Sequence, residues 1–223
     1  NMKVMRMYKM EKSNINNIDI NYLKSIGFKK NQIDLIYDLI HKCIEKQIYT
    51  KIHFPYHNIE HIERVLCYCI WILNMKANKG EFLKNTDILL YAALYHDCGR
   101  SLIVSNKKHG IVGEKIAKEK LKRNFNNKDL NSIELLIETH ANPDDIVDFK
   151  NYKFTDSDKE NIQILSNTLK DADALDRNRI KVFKFAQCNP NYLRTNEAKE
   201  IYHISNIFLK KYEEAKSKTR GIK

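Results

Sequence analysis

The chain has 223 residues, 43% of them hydrophobic, with 39 basic against 28 acidic side chains and a net charge of +11. That is enough apolar content for a proper core, and the charge favours anionic partners such as nucleotides, phosphorylated metabolites or nucleic acid, although lysine used as surface filler gives the same balance. The five cysteines are odd in number and form no CxxC, and the longest apolar runs, 65–73 and 88–95, are too short to span a bilayer. A disulfide framework, a thiolate zinc site and a membrane partner are therefore excluded, and the expected setting is the cytosol with reduced thiols.

Only six glycines and three prolines interrupt the chain, which points to long helices and an all-α fold. Residues 1–15 read as a loose polar arm. Helices follow at 17–26 and 31–47, the second carrying Ile33, Ile36, Ile40 and Ile44 at helical spacing. A turn at 50–55 leads to a long helix at 57–76. Residues 87–95 are apolar on every face, as in a buried central helix. After a loop at 99–106, with Ser105 or Asn106 as cap, comes a basic helix at 107–125. Asn127 caps another at 129–139. A loop at 141–154 precedes helices at 156–179 and 196–217, and the tail 218–223 is basic. With no repeat or linker, residues 16–217 read as one helical domain, its core about 50–185.

Chemistry gathers at the helix ends. The apolar run 88–95 finishes in His96-Asp97, and a carboxylate there is costly to bury unless a cation joins it. For the dipeptide alone, a helix end meeting solvent explains as much. His57 and His61 lie four apart, on one helical face; His61 borders the stripe Ile62, Val65, Cys69 and Ile72, and His57 overhangs its rim. In the acidic run Asp171-Ala-Asp-Ala-Leu-Asp-Arg177, the stripe Ile162, Leu165, Leu169 and Ala172 puts Asp173 and Asp176 inward and Asp171 nearly opposite. Such inward carboxylates need a metal, hydrogen bonds or a partner such as Arg177 or Arg179. His109 opens the basic helix, and His140 follows Leu130, Ile133 and Ile137 on an apolar face. Six nitrogen and oxygen donors of this mix suit Mn, Mg, Fe, Co or Zn, as one ion or two.

In this order the pieces resemble the HD-domain superfamily of metal-dependent phosphohydrolases. The likeness rests on Tyr56-His-Asn-Ile-Glu-His61-Ile-Glu-Arg-Val65, His96-Asp-Cys-Gly-Arg100, His109-Gly-Ile-Val-Gly113 and Asp171-Ala-Asp-Ala-Leu-Asp-Arg177. It implies an all-helical bundle with added N- and C-terminal helices, in which His61, His96, Asp97 and Asp173 hold one divalent ion. It makes His109 and His140 ligands of a second metal or contacts to phosphate. Pro55-Tyr-His-Asn58 is similar to the helix start of cyclic-nucleotide phosphodiesterases, which would make His57 a proton donor. No acidic pair follows the His-Asp turn, unlike in the stringent-response hydrolases. The implied function is hydrolysis of a phosphate ester or anhydride in a nucleotide or other small phosphorylated compound. Asp97 or Asp173 would act as base, and Arg100, Lys107, Lys108 and Arg177 are candidates to hold phosphate. The competing readings are a di-iron oxygenase on the same six donors, and a non-catalytic module that binds a nucleotide or nucleic acid.

Overall fold

A computed structural model describes residues 20–46, 48, 57–100, 108–142, 147–150, 152–181 and 186–219. Among them all regular structure is helical: α1 (Ile20–Ser25), α2 (Lys30–Glu45), α3 (Ile59–Asn78), α4 (Thr86–Tyr95), α5 (His109–Leu121), α6 (Asn127–Thr139), α7 (Asp156–Asp176) and α8 (Asn196–Thr219). Short 3-10 turns, Arg177–Arg179 and Pro190–Tyr192, join the last two. No described helix is long and apolar enough to cross a membrane. The expected arm at 1–15, the turn at 50–55 and the caps Ser105 and Asn106 lie outside the described residues.

The core is organised around α3, which packs on α2, α4, α7 and α8, while α5 and α6 pair with each other and α6 covers α4. The apolar run in α4 is buried except for half-exposed Tyr91, which packs edge-on against Phe125. α3 is more central still. Every residue from His61 to Ile72 is buried, Glu63 and Arg64 included, so the helix has no solvent face there. The apolar stripe in the sequence shows only part of that burial. α7 starts with a capping box, Thr155 with Asp158, which satisfies two backbone N–H groups at its end. α8 buries Ala198, Ile201, Phe208 and Tyr212 against the bundle.

Several expected boundaries move. The helix expected at 57–76 begins after Asn58, whose side chain accepts the His61 N–H at 3.1 Å. His57 therefore stands before the helix rather than on a shared face with His61. The basic helix is shorter than 107–125, and Lys108 precedes it without a side-chain cap. Asn126, not Asn127, caps α6, and α7 ends at Asp176 rather than at residue 179. Asp171, expected to face away from the core, is fully buried. It accepts the backbone N–H groups of Arg194 and Thr195 and the Thr195 hydroxyl. The segment leading into α8 thus covers a face that α7 alone would leave to solvent.

Candidate metal centre

Five helix ends bring the chemistry together. His61 lies in the first turn of α3, His96 caps the end of α4 with Asp97 next to it, His109 opens α5, His140 caps the end of α6, and Asp173 sits in the last turn of α7. Three of those ends are C-termini, where the backbone carbonyls concentrate partial negative charge and favour a cation.

Glycines permit the convergence. A Cβ on Gly99 would stand 2.1 Å from the His109 carbonyl oxygen and 2.4 Å from the Gly113 nitrogen. A Cβ on Gly110 would meet the Glu138 carbonyl oxygen at 2.5 Å. The turn after Asp97, the start of α5 and the end of α6 thus touch backbone to backbone, which draws His109 and His140 up to Asp97.

Two nests result, and they share Asp97. In the first, His61 Nε2 lies 3.2 Å from His96 Nε2, 3.4 Å from Asp97 Oδ2 and 3.3 Å from Asp173 Oδ1. His96 Nε2 is 3.6 and 3.8 Å from the same two oxygens. Nitrogen and oxygen ligands about 2.1 Å from a divalent ion stand roughly 3–3.5 Å from one another, so the nest has the size of a coordination shell. In the second, Asp97 Oδ1 is 3.3 Å from His109 Nε2 and 3.6 Å from His140 Nε2, and those two nitrogens are 2.9 Å apart. Overlapping triplets of these donors, and one that includes His57, lie close enough together to hold a metal ion.

The outer nitrogens set the tautomers. His61 Nδ1 donates to Asp176 at 2.7 Å, His96 Nδ1 to the Ala93 carbonyl at 2.8 Å, and His140 Nδ1 to the Ile137 carbonyl at 2.6 Å. Carbonyl and carboxylate oxygens only accept, so Nδ1 carries a proton in each ring and each Nε2 faces the nest, with its lone pair wherever the ring is neutral. Without a metal one proton compensates in part. Burial opposes charge on His61, but hydrogen bonds to Asp173, Asp176 and Asp97 outweigh it and raise its pKa to about 10. Burial lowers His96 to about 3, so it is neutral and accepts from His61. Burial also works against charge on Asp97 and Asp173, yet the surrounding imidazoles hold both carboxyls well below the usual range.

Asp176 is dealt with differently. Its oxygens take Arg64 Nε at 2.6 Å, Arg179 Nη1 at 2.6 Å and His61 Nδ1. Arg64 in turn lies over the Tyr212 ring, 4.9 Å from its centre, and the Tyr212 hydroxyl donates to Glu63. Arg64, Glu63 and Tyr212 are the site's supporting residues that sequence reasoning missed. A charged pair inside the otherwise apolar centre of a helix, Glu63-Arg64 at spacings two and three from His61, was the available signal.

The remaining expected residues divide. His57 Nδ1 donates to Asp97 Oδ2 at 2.5 Å, and its side chain is 25% exposed at the mouth of the nest. Burial lowers its pKa. Arg100 Nε donates to Asp97 Oδ1 at 2.5 Å. Arg177 is not gathered into the nests: it is exposed and its Nε donates to the Ala186 carbonyl. Lys108 is exposed beside His109, and Lys107 lies outside the described residues.

A family model described as the HD domain matches residues 58–178, more than half of the chain. The chain belongs to the HD-domain family. The match contains every member of both nests and stops short of α1, α2 and α8, and it begins one residue after His57. A search of curated proteins and a search of solved structures each found no match. HD domains are generally metal-dependent hydrolases that bind divalent metals, and this one has the buried imidazole and carboxylate groups to hold such an ion.

Proposed function

We propose that this HD domain hydrolyses a phosphate ester or anhydride bond in a nucleotide or other small phosphorylated compound, with a divalent ion held by His61, His96, Asp97 and Asp173. The observation that carries the reading is the first nest: His61 and His96 within 3.2–3.8 Å of each other and of two carboxylates. A cation held there supplies the Lewis acidity that makes water nucleophilic near neutral pH and polarises a phosphoryl oxygen.

The side chains take distinct roles around it. Both oxygens of Asp97 are engaged, by His57 and by Arg100. Asp173, 26% exposed, is the better placed of the two to accept a proton from the attacking water. His57 at the mouth is the candidate to protonate the leaving oxygen, a role that needs a second proton on its ring against the lowering effect of burial; general acids contribute about 10²–10⁴-fold. Arg100, on Asp97, and Lys108, exposed beside His109, are the candidates to hold a phosphoryl group. The net charge of +11 favours an anionic substrate.

The test is turnover of nucleotides and phosphodiesters by the metal-stripped protein reconstituted with Mn, Mg, Co, Ni or Zn. Turnover that disappears in His96→Ala together with bound metal supports the reading. No turnover with any metal, with His96→Ala unchanged in metal content, overturns it. The second nest keeps one rival in view, because six donors also suit two irons and oxygen chemistry. Iron content and oxygen uptake after expression in iron-rich medium separate the two.

A further inference from the structure

Asp97 belongs to both nests, and its two oxygens are held by different kinds of group. Oδ2 accepts from His57, whose side chain is 25% exposed. Oδ1 faces His109 and His140 at 3.3 and 3.6 Å and accepts from Arg100 Nε at 2.5 Å. A guanidinium keeps its charge throughout the working pH range. It is therefore a permanent cation seated on the one oxygen that a metal between His109 and His140 would need. Its place is set by the turn itself: the Arg100 N–H donates to the Asp97 carbonyl at 3.0 Å, which folds the side chain back onto the carboxylate three residues earlier. With Asp97 1% and Arg100 17% exposed, solvent screens the pair little. A metal ion and a guanidinium on the same oxygen would lie close together at low dielectric, where like charges repel steeply.

We propose that Arg100 sets the metal count of this centre. While it holds Asp97 Oδ1, one divalent ion binds, in the nest of His61, His96, Asp97 Oδ2 and Asp173. The position between His109, His140 and Asp97 Oδ1 fills only when the guanidinium withdraws. The inference rests on the metal-binding part of the proposed function and adds a residue that decides between one ion and two.

The experiment is Mn(II) titration of the metal-stripped protein by calorimetry, with elemental analysis after gel filtration and electron paramagnetic resonance of the loaded protein. The wild type is expected to take one ion tightly and to show an uncoupled Mn(II) signal. Arg100→Gln is expected to take two, with the second tightened by about 10–100-fold, the range over which partners of metal ligands shift affinity, and with a spin-coupled signal. Arg100→Lys, which restores a cation, returns the count to one, and so does His109→Ala placed in the Arg100→Gln background. Circular dichroism and the melting temperature establish that each variant is folded. A wild type that takes two ions of similar affinity overturns the proposal, and so does a folded Arg100→Gln that stays at one. A wild type that takes no ion overturns both this inference and the proposed function, whereas one ion in both proteins overturns the role of Arg100 alone.

Discussion

Asp173 and Asp176 are three residues apart on the last turn of α7, and both look toward His61, but the protein completes them differently. Asp176 meets two arginines and a histidine N–H, so its charge is balanced by the chain itself. Among the described residues, Asp173 meets the inward nitrogens of His61 and His96, at 3.3 and 3.8 Å, and it keeps a partly open side. A buried carboxylate with protein cations around it is a structural anchor. One whose partners among the described residues are imidazole nitrogens at longer range is a candidate ligand for an ion. The difference teaches that burial and acidity alone do not mark a ligand; what marks it is the compensation that is missing.

The comparison can be broken most sharply from the ion's side. Asp97→Asn is expected to lower kcat/KM by at least about 10³-fold, corresponding to the several kcal/mol that a Lewis acid supplies to phosphoryl chemistry, while the melting temperature falls far less. An active Asp97→Asn protein would mean that the nests are not the reaction centre.

Asp176→Asn tests the anchor. It leaves the Arg64 charge buried without its counter-ion, a loss of about 3–5 kcal/mol in stability when one partner of a buried pair is removed. It also replaces the charged acceptor of the outer nitrogen of His61 with a neutral amide, which is expected to weaken metal binding by up to about 10–100-fold. Calorimetric titration and thermal melts read the two effects separately. A normal metal affinity would show that His61 does not depend on Asp176 for its orientation.

A third expectation concerns pH. In the metal-free protein His61 keeps its proton up to about pH 10, and an incoming ion must displace it. His96 loses its proton at about pH 3 and adds no pH dependence near neutrality. Metal affinity is therefore expected to rise by about tenfold per pH unit from neutral toward pH 10 and to level off above it, with about one proton released per ion. Calorimetry at pH 7 and 8 in buffers of different ionisation enthalpy counts that proton, and no release would place the ion away from His61.

The smallest effect belongs to the far side of α7. Asp171→Asn removes charge from the acceptor of the Arg194 and Thr195 N–H groups, and is expected to cost about 1–3 kcal/mol of stability with metal affinity unchanged. A change in metal affinity would mean that the segment entering α8 supports the nest as well.

Much of this could be read along the chain. The run 88–95, apolar on every face, ends in His96-Asp97; a helix end meeting solvent explains that pair alone as well, and it gains weight from the inward placement of His61 and Asp173. The inward placement of Asp173 follows from the stripe of Ile162, Leu165, Leu169 and Ala172. The outward assignment of Asp171 failed because a helical wheel describes one helix against one partner. Here α7 is covered on a second side by residues about 20 positions later in the chain. Arg64 escaped notice for the same reason: its neighbours, Asp176 and Tyr212, lie 112 and 148 positions away, and local pattern carries no information about such pairs.

By itself, then, the sequence determined the helical class and the order of the elements, because helical periodicity and the scarcity of glycine and proline are local properties, and it offered six candidate donors as what a family resemblance implies. Only the tertiary structure decided how those donors are shared. Close packing of Gly99, Gly110 and Gly113 brings a second pair of histidines to Asp97, and the Asp97 turn folds Arg100 onto the same carboxylate. Both outcomes depend on which backbone meets which across the bundle, and on the competition among buried charges for too few partners.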